Sequence, residues 1–210
     1  MRVVTLVLSV LALAGACART ESITLSFDDI PAGSPLMLYT QYGVWFSGAF
    51  EVADHSASTW GPPRSGSNVL INHWSTPLSS GAMVKFGYQQ GGWGGELVLT
   101  SIRSFGGYFS TQPDVVVQIV GLYNDIHHPL ASAVVGAVGE SWSNRYVEIS
   151  SPAGNIDFVM FYNVSSDDAL FHYCADDVTV EFVPEPSSLA ALGLGLMGLS
   201  PVLVRRRRER

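Results

Sequence analysis

Ser22-Ile23-Thr24-Leu25-Ser26-Phe27 alternates polar and apolar side chains strictly, which fits a strand with one buried face. Short runs rich in Val, Ile, Phe and Tyr then recur roughly every 8 to 15 residues. They predict strands at Val44–Phe46, Val69–Ile71, Ala82–Phe86, Glu96–Thr100, Ile102–Phe109, Val115–Leu122, Ala131–Val135, Arg145–Ile149, Ile156–Tyr162 and Asp177–Val183. Between them stand residues that reverse a chain: Pro31-Ala32-Gly33-Ser34-Pro35, Gly61-Pro62-Pro63, Gly91-Gly92-Trp93-Gly94-Gly95, Asn124-Asp125 and Ser151-Pro152-Ala153-Gly154-Asn155. No stretch of this region sustains a helical apolar period between caps. The expected fold is all-β, an antiparallel sandwich of two sheets of jelly-roll type.

The two ends read differently, since residues 3–16 and 189–204 contain no charged side chain. Arg2, the apolar stretch Val3–Ala14 and the small residues up to Ala18 follow the plan of a secretory signal peptide covering residues 1–18. Cys17 is a candidate for lipidation, although Ala14 stands where a lipoprotein signal carries a large aliphatic residue. Without Cys17 only Cys174 remains, and it is expected to be a buried free thiol. At the other end Ser187–Val204 is apolar on every side. As a helix it would extend about 27 Å, close to the roughly 30 Å core of a bilayer. Arg205, Arg206, Arg207 and Arg208 form a stop-transfer cluster that keeps the C-terminus cytoplasmic and the preceding domain outside. The expected organisation is a signal peptide at 1–18, a β-sandwich domain at 19–182, and a C-terminal segment at 183–210 with a single transmembrane helix.

Charge narrows the partners. Residues 19–183 hold five bases against sixteen acids, a net charge of −11. A surface that tracks phosphates needs clustered Lys and Arg, so nucleic acid is not an expected partner.

Membrane physics accounts for the apolar run and the arginines but not for Pro184-Glu185-Pro186, because almost any polar linker can precede a span. Val183-Pro184-Glu185-Pro186-Ser187-Ser188, the Leu/Ala/Gly-rich run and the four arginines together resemble the PEP-CTERM sorting signal of exported proteins of Gram-negative bacteria. The resemblance implies export through the secretion machinery, a transient anchor in the inner membrane, and recognition by an exosortase that cuts near the triplet. It further implies a final place at the cell surface or outside the cell, in association with extracellular polysaccharide and biofilm matrix. On that reading Pro184, Glu185 and Pro186 are a recognition element with no catalytic part. The resemblance covers about 28 residues and leaves the domain's own activity open.

The domain more loosely resembles jelly-roll modules that precede such tails, which open on a strand ending Phe-Asp-Asp and close on an Asp-Asp-Val strand. The counterparts here are Phe27-Asp28-Asp29 and Asp176-Asp177-Val178. First and last strands of a sandwich often lie near each other, so Asp28, Asp29, Asp176 and Asp177 are candidates to converge. Converging carboxylates suit Ca²⁺, a hard ion that takes six to eight oxygen ligands. A structural calcium is therefore the one cofactor the sequence suggests. The alternative is that one aspartate of each pair caps a turn and the other faces water.

Catalytic patterns are scarce. The five histidines show no zinc spacing, and there is no nucleophile elbow, phosphate loop or dinucleotide fingerprint. A carboxylate pair for glycoside hydrolysis is set in space and leaves no sequence pattern. Trp60, Trp74, Trp93 and Trp142 lie in or beside Gly/Ser/Pro-rich segments, where flat indoles can stack on sugar rings; burial at the sandwich ends is the competing account. Two functions follow. One is a non-catalytic surface or matrix protein that binds polysaccharide. The other is a secreted carbohydrate-active hydrolase with an unrecognised carboxylate site.

Overall fold

The computed structural model describes residues 21–34, 36–47, 50–54, 63–72, 82–90, 96–124, 127–164 and 173–183. The strands are β1 (Ser22–Leu25), β2 (Val44–Phe46), β3 (Phe50–Asp54), β4 (Asn68–Asn72), β5 (Ala82–Gln90), β6 (Glu96–Leu99), β7 (Ile102–Thr111), β8 (Val117–Leu122), β9 (Pro129–Val135), β10 (Trp142–Ser150), β11 (Phe158–Asn163) and β12 (Tyr173–Phe182). One sheet runs β10-β7-β12-β4-β3, with β1 beside β4 against β12; the other runs β2-β5-β11-β8-β9, with β6 on β5. Every pairing is antiparallel. The chain alternates between the sheets so that β4, β12, β7 and β10 face β5, β11, β8 and β9, the double Greek-key path of a jelly roll.

Burial of both sheet faces explains why some strands read as unbroken apolar runs. In β11, Val159 and Phe161 enter the core between the sheets, while Phe158 and Met160 join Val120 and Leu122 in a second cluster. In β4 and β12, Leu70 and Ala175 point to the same core, and Val69, Ile71 and Cys174 form a third cluster on the other face. Phe161 is the hub across the gap, with ring centroids 5.4 Å from Phe50, 5.8 Å from Phe105 and 6.3 Å from Tyr173.

Every expected strand is present, with boundaries moved by a few residues. The largest shifts are in β5, which continues through Gly87 to pair with β6, and in β12, which starts four residues early at Tyr173. Two elements are additional. The strand β3 buries Phe50 and Val52 along one face. A 3-10 helix at Leu36–Tyr42, η1, puts three residues in each turn, so Leu36, Tyr39 and Tyr42 fall in one row. Leu36 and Tyr39 are buried and Tyr42 emerges at the surface. Ser22–Phe182 form one compact unit. The segments expected to form a signal peptide and a transmembrane helix lie outside the described residues, among which no helix is long and apolar enough to cross a membrane.

Phe161→Ala removes the ring that the opposing strands share. It is expected to cost about 3 to 5 kcal/mol, read as a lower urea midpoint with an unchanged slope.

Candidate functional site

Phe27 leaves β1 with φ at 65°, a left-handed conformation that a bulky residue adopts only when its surroundings impose it. Its ring is fully buried, edge-on to Tyr39 at 5.4 Å. This bend sends the next two aspartates to different places.

Asp28 turns toward the segment that precedes β4. Its Oδ1 accepts the backbone N–H groups of Ser67 at 2.8 Å and Asn68 at 3.1 Å. Asn68 answers with its side-chain amide, donating to the carbonyls of Ile30 at 2.7 Å and Phe27 at 3.4 Å. Ser65 in the same segment reaches β12: its N–H donates to Asp176 Oδ2 at 2.8 Å and its hydroxyl to Asp177 Oδ1 at 2.9 Å. Asp177 has φ at 45°, and the pairing of β12 with β7 shifts register between Asp176 and Thr179. That bulge points both carboxylates at one serine.

Three of the four calcium candidates are thus brought together, from the two ends of the domain. Their oxygens are engaged by N–H and O–H donors: Asp176 Oδ1 accepts the N–H of Asp177 at 2.7 Å in addition to the bonds above. Among the described residues, no group of three His, Cys, Asp or Glu side chains is arranged to hold a metal ion. The cluster works as a knot of hydrogen bonds joining the exit of β1, the entry of β4 and the bulge of β12. Asp176 is only 2% exposed. Burial pushes its carboxyl above the usual carboxylate range, opposed by the N–H groups of Ser65 and Asp177.

Asp29 departs from the other three. It accepts the Tyr39 hydroxyl at 2.9 Å, and burial together with this carboxylate holds that phenol far above its ordinary range. Beside the pair lies a cavity of about 250 Å³ lined by Ile23, Thr24, Leu25, Ser26, Asp29, Tyr39 and Tyr42. It takes four consecutive residues of the β1 region, from both faces of the strand, so it runs along the strand's edge. Sequence reasoning missed this site because its walls come from β1, the following turn and η1, and η1 carries no recognisable pattern.

Other candidates are accounted for. Trp60, Trp74 and Trp93, the triplet Pro184, Glu185 and Pro186, and Arg205, Arg206, Arg207 and Arg208 all lie outside the described residues. Trp142 packs against the core with the Arg145 guanidinium 4.8 Å over its ring. Tyr108 and Tyr146 meet edge-on at 5.2 Å, but Arg64 sits 4.9 Å over Tyr108, and Tyr146 donates to Glu148 at 3.1 Å. Cys174 is a buried free thiol, as expected, and burial pushes it up to about 12.

Residues 182–208 match the family model of the PEP-CTERM protein-sorting motif. The chain therefore carries a PEP-CTERM sorting motif, which implies an exported protein of the kind an exosortase sorts. No curated protein matches it. Among solved structures, the K2 cleaved adhesin domain of Lys-gingipain is 12% identical with a TM-score of 0.45, over 77% of this chain and 100% of that one. The CBM22-1 xylan-binding domain of Xyn10C from Paenibacillus barcinonensis is 11% identical with a TM-score of 0.43, over 80% and 99%. Likeness at this level says nothing about what this chain binds.

Two outcomes test the knot. At Gly66, φ is +47° and an added Cβ would fall 2.0 Å from both Asp28 carboxylate oxygens, so Gly66→Ala must break the bonds to Ser67 and Asn68 or strain the turn. A loss of about 1 to 3 kcal/mol in unfolding free energy is expected. Asp176 gives the second outcome. Its folded pKa lies above the unfolded value, so the folded state binds more protons between the two, and its contribution to stability falls as pH rises through that window. Relative to Asp176→Asn, the native protein should lose stability as pH climbs from about 4, the unfolded carboxylate value. Above the folded pKa the difference should stay constant, as urea midpoints across a pH series will report.

Proposed function

We propose that this protein is a non-catalytic component of the cell surface or extracellular matrix of a Gram-negative bacterium, delivered by its tail and binding polysaccharide through its sandwich domain. The observation that carries the reading is the sorting motif at residues 182–208. In this reading the signal peptide starts export and the apolar run Leu189–Val204 holds the chain in the inner membrane. The exosortase then reads Pro184, Glu185 and Pro186 and cuts beside them. The tail is an address and is absent from the finished molecule.

The structural engagement of several carboxylates favours a binding role over hydrolysis. Asp28, Asp176 and Asp177 are spent on the knot. Asp157 bridges the Ser101 hydroxyl at 2.6 Å and the Asn124 N–H at 2.8 Å, and Glu140 pairs with Arg145. Each of these carboxylates has a structural partner, and hydrolysis of a glycosidic bond needs an acid and a base facing one substrate.

Mass spectrometry of the extracellular protein is expected to find a C-terminus near the triplet and no peptide from Leu189 to Arg210. Recovery of that segment from the extracellular form would rule out processing there. Incubation of the full chain with extracellular polysaccharide should give retention without new reducing ends. Release of reducing ends would favour the hydrolase.

A further inference from the structure

We propose that the cavity along the edge of β1 holds one neutral sugar ring of a polysaccharide, with Asp29 accepting its hydroxyls and Tyr42 lying against its apolar face. This deepens the binding role above and rests on it, adding the place and the charge class of the ligand.

The size of the cavity limits the occupant first. At about 250 Å³ it is smaller than the roughly 300 to 1,000 Å³ of pockets that enclose drug-sized ligands. One pyranose ring fits such a space, while the rest of a polymer must remain outside. Tyr42 is 45% exposed, so the cavity opens to solvent on the side of η1.

The lining matches the two surfaces of a sugar. A pyranose carries hydroxyls around its rim and C–H groups on its faces. Asp29 supplies acceptors, Ser26 brings a hydroxyl that donates or accepts, and the Tyr42 ring supplies a flat apolar wall, while the Thr24 hydroxyl is already bonded to that of Thr179 at 3.3 Å. Tyr42 is steadied against Tyr39, with ring centroids 6.3 Å apart. Asp29 is fixed by the Tyr39 hydroxyl, which is itself rooted in the core, so little side-chain freedom is lost on binding. The strand adds backbone groups. Among the described residues β1 pairs with β12 alone, and alternate residues of an edge strand turn N–H and C=O away from their neighbour.

Charge selects the class. Among the described residues, Asp29 is the one acidic side chain in the lining, on a domain that is already strongly acidic. A carboxylate meets hydroxyl donors well and repels a second carboxylate, so a neutral ring is favoured over a uronate.

Saturation-transfer NMR on the full chain tests this, in a zwitterionic detergent because sugar-headed detergents would compete. The probes are methyl glucoside, methyl galactoside, methyl mannoside and glucuronate. At least one neutral glycoside should bind, and Tyr42→Ala and Asp29→Asn should each weaken it by about tenfold, a single lost contact or charged hydrogen bond. Asn keeps an acceptor for Tyr39, and Tyr42 is exposed, so both variants should fold, which circular dichroism checks. Asp29→Asn should also narrow the preference for the neutral glycoside over glucuronate, which a purely structural role would leave unchanged. Three results overturn the proposal: neutral glycosides that bind both variants as well as the native chain, glucuronate preferred by the native chain, or an extended peptide bound along β1 with no sugar binding. Retention on polysaccharide that survives both substitutions overturns this site and leaves the binding role standing, whereas native chain that retains no polysaccharide overturns both.

Discussion

Everything in this domain depends on hiding rows of aromatic and branched side chains between two sheets. Phe86, Phe105, Phe109, Val159, Phe161, Val178 and Val180 come from distant parts of the chain and meet in one core. Burying each such side chain is worth about 1.5 to 3 kcal/mol, which sets the scale of what the polar features can add or remove. The left-handed turns at Phe27 and Asp177 persist because the core and the hydrogen bonds around Ser65 together hold them. The knot of Asp28, Asp176 and Asp177 ties the exit of β1 and the entry of β4 to the middle of β12.

The division of labour between Asp28 and Asp29 follows from a single backbone turn. Adjacent residues at the end of a strand project to different sides, so one carboxylate faces the domain's own backbone and its neighbour faces a cavity. The first has its oxygens filled by N–H donors of the segment before β4. The second is held by one phenol and looks out beside Tyr42. Two identical residues in sequence thus have different chemical tasks, one in stability and the other in the proposed recognition.

Much of the fold was legible in the sequence because alternation and breakers are local signals. Ser22 to Phe27 announces β1, and Val44–Phe46 appears with its expected bounds. The strand β3 was harder to see, since Phe50 to Asp54 mixes Glu and Asp into five residues and gains its identity from pairing with β4. The helix η1 was illegible because three-residue periodicity over two turns resembles chance. The convergence of Asp28, Asp176 and Asp177 was foreseeable from their places on the first and last strands. What they bind was not, because the donors of Ser65, Ser67 and Asn68 belong to a segment whose path only the folded chain fixes. The departure of Asp29 likewise depends on Tyr39, ten residues away on an element the sequence did not predict.

The position of β12 bears on the timing of export. Without it, the first sheet separates into the pair β10 and β7, the pair β4 and β3, and an unpartnered β1. A chain that crosses a membrane from its N-terminus delivers this strand after all the others, so no intermediate length can close the sheet. The strand that joins these pieces is the last of the domain, and the sorting motif starts at its final residue, Phe182. The residue that ends the strand completing the sheet is thus also the residue at which the address begins, so fold and address share one boundary.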